Sequence, residues 1–208
     1  MDPIARTTED FVRSTAFARA LASGLRAEVS TFSLTAEQAV AKAKSAIALR
    51  KRLTDDEVEI SVAIVAPNGK KFPARLMWDA VYSAGFRWGD GDYFHWNPSP
   101  TTDDSQGIGM GTSTRTGYFF PEWVADGTGD VDDLEMSFSA ARAYQPTKLF
   151  DVMVRAATYL ARRLGGTVVR LDDRPFDAAA ERKRVVAIEQ AMLAAGVEPG
   201  STLALRTF

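Results

Sequence analysis

Residues 58–85 read VEISVAIVAPNGKKFPARLMWDAVYSAG, and within them the hydrophobic period changes from two to the helical 3.6. Val58, Ile60, Val62 and Ile64 alternate with Glu59, Ser61 and Ala63, which predicts a strand with one buried face. Pro67-Asn68-Gly69 ends it. Pro73 then opens a helix over ARLMWDAVYSA, and Gly85 sits where a left-handed residue closes one.

Downstream the alternation recurs. FRW and YFHW flank the turn GDGD, where Asp90 and Asp92 are turn residues. After a polar loop at 97–106, GIGMGTS sets Ile108, Met110 and Thr112 against Gly109, Gly111 and Ser113. TGYFFPEW is an aromatic segment interrupted by Pro121, and ADGTGDVDD is a loop. LEMSFSAA sets Leu134, Met136 and Phe138 against Glu135, Ser137 and Ser139. Pro146-Thr147 then begins the clearest helix, KLFDVMVRAATYLARRLGG, with Phe150, Met153, Ala157, Leu160, Ala161 and Leu164 as its buried stripe. TVVRL is a further strand. Asp177 caps a last helix with Val185, Ile188 and Met192 inward, and the tail STLALRTF is read as an edge strand.

Upstream, residues 1–54 read as two helices. The first has an acidic turn, Thr8-Glu9-Asp10, and a stripe of Phe11, Ala18, Leu21 and Leu25. The second carries a capping box at Thr35 and Gln38 and a stripe of Ala36, Val40, Ala43 and Ile47. Arg50, Lys51 and Arg52 end it, as suits the negative end of a helix dipole. Strands joined by short loops and single helices predict an α+β fold, an antiparallel sheet with helices on one face. The division expected is a helical extension at 1–54 and an α+β domain at 55–208. Val58, Ile60, Val62, Ile64, Ile108, Met110, Leu134, Met136, Phe138, Phe150, Met153, Leu160 and Leu164 are expected to share one core.

Of the 208 residues, 46% are hydrophobic and 25% charged, ordinary for a globular chain. The absence of cysteine excludes disulfides and thiolate chemistry, and the single histidine, His95, excludes any site needing two imidazoles. No run approaches the ~20 apolar residues of a membrane span. The N-terminus, with Asp2, Glu9 and Asp10, has no secretory pattern, so a cytoplasmic setting is expected. Net charge is −2, but residues 1–54 hold nine Lys/Arg against five Asp/Glu. The remaining body is acidic and a poor partner for nucleic acid.

Nothing in the sequence assembles a catalytic constellation. Asp126, Asp130, Asp132 and Asp133 lack the spacing of a calcium loop and read as a solvated loop. Asp172 and Asp173 before Arg174 read as an ion pair pinning a strand-to-helix turn. His95, among aromatics, reads as a structural hydrogen-bonding residue. GIGMGTS places its glycines on alternate strand positions, not in a phosphate-cradling turn. No cofactor, metal site or enzymatic activity is expected.

SAGFRWGDGDYFH at 83–95, with Ala84, Gly85, Phe86, Gly89, Asp90, Phe94 and His95, is similar to the strand-turn-strand segment of the ZipA C-terminal, FtsZ-binding domain family. Ser99-Pro100, Gly117, Phe119, Pro121 and Glu122 follow at family-like spacing, and LFDVMVRAATYLARRLGGTVVRLDD resembles the family's helix, double glycine and final strand. The resemblance covers residues 58–195. It implies about six mostly antiparallel strands under three helices, no catalysis, and a sheet face that receives the C-terminal peptide of FtsZ. Glu59, Ser61, Ala63, Gly91, Tyr93, Gly111, Ser113, Glu135 and Ser137 fall at the positions of that face, and the strand alternation independently sets much the same residues opposite the core. In the family this face is largely apolar; here it is small, polar and twice acidic. A bacterial cell-division protein partner is thus one expectation. An accessory protein of phage or plasmid type, reusing the fold for another protein partner, is the alternative. Two further classes are an enzyme using Glu59 and Glu135 and a nucleic-acid binder, for which the face offers only Tyr93 as a stacking platform. The Ala-rich first two helices are expected to pack on the body, over the sheet face or across a homodimer, or to form a loosely held partner-binding arm.

Overall fold

The computed structural model describes residues 7–24, 34–99, 102–114 and 116–208. Asp2, Leu25 of the first predicted stripe and Pro100 of the Ser99-Pro100 pair lie outside them. The elements are α1 (Thr8–Gly24), α2 (Ala36–Arg52), α3 (Asp55–Val58), β1 (Glu59–Val65), α4 (Ala74–Ser83), β2 (Arg87–Trp88), β3 (Phe94–Trp96), β4 (Ile108–Gly111), α5 (Pro121–Ala125), β5 (Asp133–Ser139), α6 (Pro146–Leu164), β6 (Thr167–Val169), α7 (Ala178–Ala194) and α8 (Thr202–Thr207). The architecture is α+β. Six strands form one sheet in the order β2-β3-β4-β5-β1-β6, every pairing antiparallel.

That order makes β5 and β6 parallel to each other on either side of β1, with α6 crossing between them. β1 and β2 are likewise parallel, joined over the sheet by α4. The residues facing these helices are the alternating apolar ones: Val62, Met136, Met110 and Phe94 stand in one cross-strand row, each fully buried. Twelve of the thirteen expected core residues are buried, and the last, Leu164, is half-buried against the same cluster. The α6 stripe is buried as the 3.6 period requires, and Gly165 at φ 72 stops the helix in the left-handed region that glycine enters without strain. Val185, Ile188 and Met192 bury α7, capped by the Asp177 carboxylate. Arg184 ties α7 to the start of β1, donating to the carbonyls of Glu57 and Glu59 at 2.9 and 3.0 Å.

The strand-to-helix turn is pinned as expected. Arg174 donates to Asp172 at 2.7 Å through Nε, and Arg170 bridges Asp172 and Glu181. The hydrogen bond from Arg174, foremost, pulls the Asp172 carboxyl down to about 2.

Local readings differ from the structure at the tail and in the first two helices. The tail is α8, not an edge strand. The Ser201 hydroxyl caps it by accepting the Ala204 N–H, and Ala204 is the residue it buries, so the cap outweighs the apparent alternation of Leu203 and Leu205. In α1, Leu21 is exposed. The half-buried row is Phe11, Thr15, Ala18 and Ala22, whose spacing of three and four keeps it on one side of a helix better than the more apolar Leu21 does. In α2 the buried row is Val40, Ala43, Ala46 and Leu49, with Ala36 and Ile47 at its margin. Ala46 and Leu49 belong to the same core cluster as the sheet. Arg50 donates to the Leu53 carbonyl, pairs with Asp55 and lies 5.5 Å over the Phe208 ring of α8. Among the described residues no helix is long and apolar enough to cross a membrane.

Candidate functional site

The face of the sheet opposite α4 and α6 carries the other half of each alternation. One cross-strand row runs Ser61, Ser137, Gly109, His95 and Arg87. The next runs Val169, Ala63, Glu135 and Gly111. The Tyr93 ring lies over Gly111: a Cβ built on that glycine would stand 2.8 Å from Tyr93 Cε1. Gly109 has open space above it. Together these side chains leave a depression of about 480 Å³, floored by Gly109, Gly111, Glu135 and Ser137 and flanked by Tyr93, His95 and Leu171. No residue of α1 or α2 lines it. Within one chain, the described part of the first two helices therefore does not cover this face; α2 packs on α8 instead.

Of the residues singled out from the sequence, Glu59, Tyr93, Gly111, Glu135 and Ser137 line this depression. Ser61 stands beside Ser137 in the same row and is half-buried. Ala63 is only 4% exposed and offers a ligand almost nothing. Ser113 lies beyond the end of β4, where its N–H and hydroxyl both donate to the Asp133 carboxylate. Gly91 serves the turn, at φ 63. His95, Gly109 and Leu171 are additional lining residues. The first two share the alternation of Tyr93 and Gly111 and were legible by the same rule. Leu171 enters from beyond β6, and no local pattern announces it.

Electrostatically the face is acidic. The half-buried Glu135 has its carboxyl pushed up, first by desolvation and then by the charge of Asp133. No cation among the described residues forms an ion pair with it. Desolvation also pushes the Tyr93 hydroxyl up, helped by Tyr118, whose ring centroid lies 5.1 Å away, and by the charge of Glu135. His95 Nε2 donates to the Asp90 carbonyl at 2.8 Å, the structural role its setting suggests, and its buried Nδ1 has no partner.

A raised folded-state pKa means that the folded chain holds this proton more tightly than the unfolded chain does. Stability therefore falls as pH rises through the interval between the ordinary glutamate value and the raised one. Glu135→Gln is expected to be more stable than the parent at pH 7 by up to ~1 kcal/mol. The gap should close below about pH 4, near the ordinary glutamate value. Denaturant melts at the two pH values check this, and a glutamine variant less stable than the parent at pH 7 contradicts the reading of Glu135 as an unpaired carboxylate.

The two sheet-face glutamates stand well apart along the strands. Glu59 pairs with Ser139, four residues along β5 from Glu135, which sets their Cα atoms about 14 Å apart. In and around the acidic loop, the carboxylates have other work. Asp130 caps α4 by accepting the Ala74 N–H, Asp132 accepts the Thr114 hydroxyl and pairs with Lys71, and Asp133 holds Thr112 and Ser113. Among the described residues no group of three or more such side chains is placed to hold a metal ion.

Comparison with known proteins agrees with this fold. Residues 59–185 match the family described as ZipA, C-terminal FtsZ-binding domain. The chain is 29% identical over 167 residues to a cell division protein ZipA of Pseudomonas fluorescens (strain Pf0-1), covering 74% of this chain and 53% of that one. It is 29% identical over 133 residues to a ZipA of Pseudomonas paraeruginosa (strain DSM 24068 / PA7), covering 60% of this chain and 42% of the relative. The chain thus spans about half the length of these relatives. With the matched region running from β1 into α7, across the whole sheet and its covering helices, the chain belongs to the ZipA C-terminal, FtsZ-binding domain family.

Proposed function

We propose that the chain is a cytoplasmic, non-enzymatic protein-binding module of bacterial cell division. Its ligand is the C-terminal peptide of FtsZ, laid across the open sheet face. Residues 55–208 are the binding domain and residues 1–54 a helical extension. One observation carries the reading: a broad concavity lies on the sheet face away from the helices, and its floor at Gly109, which nothing covers, lets a peptide backbone approach closely. The polar floor also favours a second reading, in which an accessory protein uses this face for a different protein partner.

The test is a substitution that fills the floor without disturbing the core. Gly109→Phe suits it, because a Cβ there meets nothing within 4 Å. Calorimetric titration with a peptide of the FtsZ C-terminus is expected to show binding by the parent and at least tenfold weaker binding by Gly109→Phe, with melting unchanged. Equal binding by the two proteins contradicts the proposed site. A parent that is folded yet blind to the peptide favours the second reading.

A further inference from the structure

We infer that the sheet-face depression recognises a cationic side chain, a lysine or arginine of the docked peptide, seated between the Glu135 carboxylate and the Tyr93 ring. This rests on the sheet face being the peptide site.

Three observations place the groups. Gly111 and Glu135 are direct cross-strand partners on β4 and β5, and the Tyr93 ring lies over Gly111. Ring and carboxylate are therefore neighbours across a position with no side chain between them. Tyr118 packs edge-on against Tyr93 with ring centroids 5.1 Å apart, which braces the ring. Glu135 forms no ion pair among the described residues, and Arg170, just beyond β6, is committed to Asp172 and Glu181.

The arrangement suits a long cationic side chain better than an apolar anchor. The open floor at Gly109, beside Ser137, accommodates an aliphatic stem. The ring offers a cation–π contact, and the carboxylate a charge-assisted hydrogen bond. An apolar anchor would instead press against a desolvated carboxylate and leave it without water or a partner. A bare metal ion would find only one carboxylate, since no group of three ligating side chains gathers there among the described residues.

The experiment is a scan of a fluorescent FtsZ C-terminal peptide. Each position in turn carries lysine or its uncharged near-isostere norleucine, and binding is read by anisotropy against the parent and Glu135→Gln. The expected result is one position at which lysine binds about tenfold more tightly than norleucine to the parent. In Glu135→Gln that preference falls to within twofold. Tyr93→Leu is expected to reduce the preference in part. A scan with no lysine preference above twofold, or a preference that survives in Glu135→Gln, overturns the inference and leaves the peptide site standing. If no peptide of the scan binds the folded parent, both fall. Melting curves of both variants establish that they are folded.

Discussion

Replacing Phe150 by alanine is expected to lower the unfolding free energy by roughly 3–5 kcal/mol, the range for deleting a buried aromatic ring. Phe150 is 1% exposed on the inward stripe of α6, the helix that bridges β5 and β6 over β1. Its ring centroid lies 6.5 Å from that of Phe176, on the segment leading into α7, so the cavity would open where three elements meet. Met153, one turn on along the same stripe, is itself fully buried, and the site has little freedom to collapse. Urea melts of parent and variant measure the loss. A loss below about 1 kcal/mol would show that α6 sits in another register.

The second large effect is expected at Gly166. A Cβ there would lie 2.8 Å from the Val65 carbonyl oxygen, 2.8 Å from Phe72 Cζ and 3.0 Å from Ile64 Cγ2. The first is backbone in β1, and the other two belong to side chains that are at most 1% exposed. None of them can give way cheaply. Gly166→Ala should therefore cost about 1–3 kcal/mol through overpacking. The neighbouring Gly165 is a useful contrast, because a Cβ there meets nothing and only its φ of 72 resists a side chain. An alanine at 166 as stable as the parent would mean that the turn after α6 does not press on β1.

The sheet and its covering helices were legible because two simple periods run uninterrupted through them. Val58 to Ile64, Leu134 to Phe138 and the Phe150–Leu164 stripe each declare a buried face, and Thr35, Gly165 and Asp177 mark ends by caps that need no distant partner. The short helices were harder. In α3, Thr54 and Glu57 form a capping box, and the helix takes in Val58, where the alternation predicts strand. Pro121 begins α5 from its first turn, where a proline is tolerated, instead of interrupting an extended segment. In α8 two leucines at alternate positions imitated a strand.

The candidate site shows the same division. Alternation alone placed Glu59, Tyr93, Gly111, Glu135 and Ser137 on one face, since each is decided by its own strand. What alternation does not carry is what stands beside each residue. Ala63 is hemmed between Glu135 and Val169 by pairing with β5 and β6, and Ser113 is taken by Asp133 twenty residues away. Leu171 reaches the depression because β6 pairs beside β1. These are long-range facts of register, which a single sequence does not express locally.

The central claim is that the open sheet face receives a peptide. Amide chemical-shift mapping of the isotopically labelled chain, titrated with a peptide of the FtsZ C-terminus, tests it most directly. The largest saturable shifts are expected on Ser61, Gly109, Gly111, Glu135 and Ser137, with the outward faces of α6 and α7 unmoved. Saturable shifts confined to the helices, with these five amides unmoved, would contradict it.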